Sequence, residues 1–258
     1  MLERLARDYP EDCHVECTKL LCDFIRFQYK YDKIDMDAAI AGSEYLPDIE
    51  SAAKVVGFRH VGKQVDIAKL ESSKNYKIDL TGANLSRVEL ISSDFMNAGI
   101  DDAQLSFSNL SKSNLSGVWF TNSTLTGASL LEADLSNSVL VNANFTDSNL
   151  KGANLTNALM NDSLLEGASL FGADLSRSGL IDADLSSAIL DGSNLTDTLL
   201  NGANLSGTSI RNTFTLTRSR LDSACISGKE NMPNLENSTC AESGKALVWN
   251  GEIGTKDK

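Results

Sequence analysis

Residues 152–176 read GANLTNALMNDSLLEGASLFGADLS, and within them Leu155, Met160, Leu165, Leu170 and Leu175 fall on every fifth position. The same phase extends in both directions, from Leu80 to Ile210, over 27 consecutive large apolar residues. An α-helix repeats its apolar face about every 3.6 residues and a strand every second residue, so a strict period of five belongs to neither. It describes a coil whose turn is a multiple of five residues. Two residues before the centres stand small or slender residues (Ala83, Ala103, Ala133, Ser138, Ala153, Ala173, Ala203), and just before the centre usually Asn or Asp (Asn84, Asp134, Asn154, Asp174, Asn204). One repeat reads A/S, N/D, L/F, S/T, x.

A slower period suggests the size of the coil. At the position before the centre, residues twenty apart are Trp119, Val139, Leu159, Gly179 and Leu199, mostly apolar where other repeats carry polar residues. A second column in steps of twenty reads Asp94, Asn114, Asp134, Asn154, Asp174, Asn194. Four repeats per turn is the simplest reading of both. After Ile210 the phase slips by one residue, since Leu216, Leu221 and Ile226 continue five apart but one late. A single bulge near 212–215 accounts for the slip.

The stretches GANLS at 82–86, GANLT at 152–156 and GADLS at 172–176 resemble the bacterial pentapeptide repeat family, and the resemblance spans residues 78–226. It implies an all-β solenoid, a right-handed four-sided β-helix, with the centre and the small residue before it pointing inward. Neighbouring coils would lie ~4.8 Å apart, each bonding its backbone to the coils above and below. Thirty repeats at four per coil would make a rod about 36 Å long.

Charge is uneven. The chain holds 35 acidic and 23 basic residues, and residues 78–226 carry 16 acidic against 7 basic. An acidic rod disfavours direct binding to nucleic acid or to an anionic membrane, both of which demand a basic face. No stretch is apolar enough to span a bilayer and no signal peptide opens the chain, so the expected location is the cytoplasm.

Residues 1–77 lack the five-residue phase and are expected to be helical, forming a small domain over the first coil. Asp8, Pro10 and Glu11 mark a helix start, after which Cys17, Leu20, Leu21, Phe24, Phe27 and Tyr31 share one helical face. Pro47 marks a second start, with Ile49, Ala52, Ala53 and Val56 as the apolar face and Gly57 as a C-terminal cap. The stretch RLARDYPEDCHVECTKLLCDFIR at 4–26 is similar to a helical segment that follows one or two transmembrane helices in some bacterial members. Two readings stay open, a soluble variant and a chain that has lost its anchor. The second places the protein at the cytoplasmic face of the inner membrane. Residues 227–258 are expected to form a C-terminal cap and tail, with Leu247, Val248 and Trp249 over the last coil.

Candidate chemistry is thin. Cys13, His14, Cys17 and Cys22 are close in sequence but lack a second CxxC pair, so no metal is expected. Cys225 and Cys240 are expected to stay reduced. Asn-x-Ser/Thr triplets, such as those at Asn84 and Asn154, are by-products of the repeat. With only His14 and His60 as histidines and no nucleophile-elbow or phosphate-loop motif, neither an enzyme nor a cofactor is expected.

Two surface features remain as candidates. The apolar column Trp119, Val139, Leu159 and Leu199, widened by Val141 and Ile181, suggests a protein interface or side-by-side pairing of two copies, unless the helices or tail fold over it. Ile91, Leu131 and Phe171 form a weaker stripe on the opposite face. The carboxylates Asp94, Asp134 and Asp174, about 9.6 Å apart if two coils separate each pair, suggest the alternative that the resemblance brings, a DNA mimic that binds or protects DNA gyrase. The expectation is a non-enzymatic interaction scaffold, with the mimic as the second reading.

Overall fold

The computed structural model describes residues 15, 18–26, 52–54, 56, 57, 76–211 and 213. The phase slip at Leu216, the boundary at 226/227, the tail with Trp249, and Cys13, His14, Cys17, His60, Cys225 and Cys240 lie outside the described residues.

The five-residue phase folds as a stack of square coils. Twenty-three parallel bridges each join residues twenty apart, running Asp79↔Gly99↔Trp119 on the first side, Asn84↔Gln104↔Thr124 on the second, Glu89↔Asn109↔Ser129 on the third and Asp94↔Asn114↔Asp134 on the fourth. Four repeats therefore make one coil. Every centre from Leu80 to Leu205 is buried, as are the residues two before, such as Ala83, Val88, Ser93 and Ala98. Ile210 is only partly buried against this core.

Each corner is a tight turn. The N–H two residues before a centre donates back to the previous centre's carbonyl, as Ala83 does to Leu80 at 3.0 Å. The residue at position x has a positive φ at every corner from Gly82 to Gly207. A four-residue turn closed by that bond, with φ positive only at its third residue, is type II. Nine of these residues are Gly and ten are Asn or Asp, the types that tolerate the left-handed region best. Phe107, at φ 61°, is the bulkiest exception.

The remaining N–H groups knit the coils together. Leu80 N–H donates to Gly99 O at 2.7 Å, Gly82 N–H to Asp101 O at 2.8 Å and Gly99 N–H to Ile78 O at 2.8 Å, and the pattern recurs along the rod. One N–H per repeat, that of the residue after the centre, is outside this ladder. The Asn or Asp before the centre accepts it: Ser86 N–H donates to Asn84 Oδ1 at 3.1 Å and Ser136 N–H to Asp134 Oδ1 at 3.0 Å. The repeat's second letter is thus a side-chain acceptor for a stranded backbone donor.

Helical residues close the open end at the first coil. Helix α1 (residues 18–26) and the helical residues 52–54, 56 and 57 (α2) join one continuous core with Ile78, Leu80 and Leu85. The expected face of α1 is corrected here. Thr18, Leu21, Cys22 and Ile25 are buried, whereas Leu20 and Phe24 are 55% and 38% exposed. The helix carries two competing apolar stripes, and the one with slim Thr18 and Cys22 is the one buried, with Cys22 Sγ 3.8 Å from Tyr76 Oη. Arg26 docks the helix further, its guanidinium donating to Asp79 Oδ2 at 2.8 Å.

On α2, Ala52, Ala53 and Val56 are buried as expected. Gly57 is not the cap the sequence suggested. It is helical and has no positive φ, and it is small because a Cβ there would lie 2.7 Å from Phe95 Cζ and 2.8 Å from Ser93 Cβ. That approach brings Gly57 O to 2.7 Å from Asp94 N–H, where in later coils the carbonyl of the preceding coil sits.

Two outcomes follow for the cap. Gly57→Ala should destabilise the protein by about 1–3 kcal/mol through overpacking, seen as a lower thermal midpoint, while Gly172→Asn, at φ +66° with nothing within 4 Å, should change it little. Burial pushes the Cys22 thiol from 9.0 up to about 11, against a lowering by its hydrogen bond with Tyr76. The folded state then holds a proton that the unfolded state loses first, so this contribution to stability is present below pH 9 and declines as pH rises towards 11. In native protein at pH 8, peptide mapping after a brief thiol alkylation should find Cys22 unmodified, and in urea it should find it labelled.

Candidate interaction surface

The hydrogen-bond pattern of the repeat makes the first side unusual. Five successive coils place Trp119, Val139, Leu159, Gly179 and Leu199 where an Asn or Asp acceptor would stand, and parallel bridges stack them in one column. In two of the five coils the stranded N–H is answered from the coil before. Asp101 Oδ1 accepts Thr121 N–H at 2.8 Å, and Asn161 Oδ1 accepts Ile181 N–H at 3.1 Å. Gly179 makes room for the second of these, since a Cβ on it would lie 2.9 Å from Asn161 Oδ1.

All six residues expected at an interface share this side. Trp119, Leu159 and Leu199 are 50%, 48% and 42% exposed, and Val139, Val141 and Ile181 are half-buried beside them. Lys77 Nζ stands 5.3 Å from the centre of the Trp119 ring, a cation–π contact. One corner of the side carries a stacked row of exposed residues: Asp102, Asn122, Asn142, Asp162 and Asp182. Asn122 Nδ2 donates to Asp102 Oδ1 at 3.1 Å. Among the described residues, none of the three Asp carboxylates of this row has a Lys or Arg partner within 4.0 Å.

The fourth side holds Asp94, Asp134 and Asp174, and the structure gives each a structural task. Their Oδ1 atoms accept the N–H of Met96, Ser136 and Ser176 at 3.1, 3.0 and 2.9 Å. The same atoms accept the amides of Asn114, Asn154 and Asn194 from the next coil at 3.0, 3.0 and 3.1 Å. All three are half-buried. The column is an alternating carboxylate–amide ladder.

On the third side Ile91 and Phe171 are 53% and 47% exposed, Leu131 is half-buried, and Lys151 Nζ lies 5.4 Å from the Phe171 ring centre. The sequence reading missed Phe107, Leu164 and Ile189, which are 62%, 44% and 41% exposed. Leu164 and Ile189 stand before a centre, so the column test that found Trp119 would have found them on the second and third sides. Phe107 occupies position x, where its ring covers Gly127: a Cβ on that glycine would meet the ring edge at 2.6 Å. Among the described residues, no three His, Cys, Asp or Glu side chains gather as a metal would require.

Comparison with known proteins places this geometry. The family model for pentapeptide repeats matches in eight copies over residues 78–117, 120–157, 148–178 and 180–214. Among solved structures, the chain is similar to HetL, a pentapeptide repeat protein involved in heterocyst differentiation regulation from the cyanobacterium Nostoc sp. strain PCC 7120. The two share 29% identity over 58% of this chain and 69% of that one, at a TM-score of 0.57. It is similar also to Rfr23 from the cyanobacterium Cyanothece 51142 (28% identity, 58% and 96% coverage, TM-score 0.34). QnrB1, a plasmid-mediated fluoroquinolone resistance protein, matches at 17% identity, 60% and 86% coverage and a TM-score of 0.33. No curated protein matches the chain significantly. With the family model covering more than half its length, and its sides, corners and core all following from the five-residue repeat, the chain belongs to the pentapeptide repeat family.

Proposed function

We propose that this protein is a non-enzymatic, cytoplasmic interaction scaffold. Its right-handed four-sided rod presents the first side to a protein partner, and an N-terminal helical domain covers one end. The observation that carries the reading is the column of Trp119, Leu159 and Leu199, each at least 42% exposed on a flat, rigid face. Contiguous exposed apolar surface of this kind marks interfaces. HetL, with a regulatory role and the same repeat architecture, is consistent with a rod that works by contact.

The gyrase-mimic reading is less favoured. A phosphate-like array needs charges held out to solvent, and Asp94, Asp134 and Asp174 are half-buried, each with its Oδ1 atom shared between a backbone N–H and an Asn amide of the next coil. Among the described residues no helix is long and apolar enough to cross a membrane.

The two readings separate by mutation. Affinity capture from the native host, compared between wild type and Trp119→Asp with Leu159→Asp, should lose the specific partner. The Asp94→Asn, Asp134→Asn and Asp174→Asn triple variant should retain it, since Asn keeps the accepting oxygen. In a supercoiling assay the wild-type protein should leave gyrase unaffected. Salt-sensitive inhibition that the triple variant lacks would reverse the preference.

A further inference from the structure

The first side is asymmetric, and its asymmetry specifies an occupant. Resting on the reading of that side as an interface, we infer that it receives an amphipathic α-helix whose apolar stripe lies along the rod axis and whose Lys or Arg residues flank that stripe on one edge. Three observations lead there. The apolar column from Trp119 to Leu199 crosses four coil spacings, about 19 Å, the length of a helix of about 13 residues. Its rows recur at ~4.8 Å, close to the ~5.4 Å rise of one helical turn, so successive apolar turns drift by no more than about half a row over the column. An extended strand would present same-face side chains at ~6.8 Å and miss the next row by about 2 Å at the first step.

Charge fixes the flank. Asp102, Asp162 and Asp182 stand exposed in one corner column beside the apolar rows, with Asp101 one residue before the first of them. The opposite corner of the same side reads Asn97, Gly117, Asn137, Asn157, Arg177 and Asp197, with a balanced charge. A helix basic on one flank is therefore held in one orientation. The face already accommodates a cation, because Lys77 sits over the Trp119 ring.

Other occupants fit less well. A second copy packed through the same side would bring two acidic rows into one interface, where like charges oppose association. Residues 227–258 hold five acidic and four basic residues and lack the basic flank. Nucleic acid is repelled by the same carboxylates.

The test uses the full-length protein carrying Trp249→Phe, so that Trp119 is the one remaining tryptophan. The probes are three synthetic peptides of about 18 residues: Leu and Lys at helical period, the same composition in strict alternation, and the helical design with Glu for Lys. Binding is followed by Trp119 fluorescence and calorimetry from ~50 to ~300 mM salt. The helical Leu/Lys peptide should bind, shift Trp119 emission to shorter wavelength and weaken with salt. Its affinity should fall tenfold or more against Asp102→Asn, Asp162→Asn, Asp182→Asn, and vanish against Leu159→Asp, with circular dichroism confirming that both variants fold. Equal binding by the alternating peptide, undiminished binding to the triple Asn variant, or no binding would each overturn the inference. If no peptide binds while Leu159→Asp still abolishes capture of the cellular partner, the interface stands and the basic helix fails. If Leu159→Asp instead converts a dimer to a monomer in light scattering, the occupant is a second copy and the inference is wrong.

Discussion

One peptide N–H in every five finds no backbone acceptor in the rod. In a square solenoid the ladder uses the N–H groups of the centre, of position x and of the residue before the centre, while the turn takes the N–H two residues before. The residue just after the centre is left with a donor pointing along the side. An unanswered backbone donor costs on the order of 1–3 kcal/mol where it is shielded from water, and a rod of more than six coils would repeat that cost on every side. The Asn or Asp of the repeat removes it with one side-chain oxygen, as at Asn84, Asn154 and Asp184. Stacking then gives the same oxygen a second donor where Asn follows Asp, as Asn204 does for Asp184 at 3.0 Å.

Small inward residues obey a related rule. Ser138, Ser163 and Ser178 are buried with hydroxyls donating to the carbonyl of the preceding centre at 2.6, 2.7 and 2.6 Å. Thr198 and Thr208 reach back instead to Leu175 and Leu185 in the coil before. Ser123 is inserted into a turn: its hydroxyl donates to Ile100 O at 2.6 Å and accepts Ala103 N–H at 3.1 Å. A slim side chain at this position therefore serves two ends. It leaves volume for Leu or Phe at the centre, and in the residues just named its hydroxyl finds an acceptor in a turn. Ser108, Ser148 and Ser193 are buried without one among the described residues, and nothing in the structure explains why these three differ.

The rod was legible in the sequence because a solenoid repeats its physics at every step. The centres, the small inward residues and the columns twenty apart follow from period alone, and the bridges fall where the Trp119–Val139–Leu159 column placed them. The left-handed corner was equally written, in the nine Gly and ten Asn or Asp at position x, but a letter that varies is read as unconstrained until the turn is seen. The cap was harder. Its helices meet the coil through contacts distant in sequence, such as Arg26 with Asp79 and Gly57 with Asp94, and α1 carries two apolar stripes between which only the partner surface chooses. Gly57 shows the same limit: sequence offered a cap, and the reason lay in the ring of Phe95.

The same physics bears on whether the apolar column is incidental. At the position before a centre, Asn or Asp satisfies the stranded donor and keeps the surface polar, so an apolar residue there gives up a hydrogen bond worth about 0.5–1.5 kcal/mol and exposes surface that favours aggregation. On the first side this happens at Trp119, Val139, Leu159 and Leu199, with Gly179 the one interruption; the acceptor missing at Trp119 is supplied from the preceding coil by Asp101, and that missing at Gly179 by Asn161. The inward positions are fixed by the core and the corners by their φ, which leaves few places where the chain is free to differ from its own repeat. A run of departures on one side, each against the local preference, is what a surface shaped for contact with another apolar surface requires.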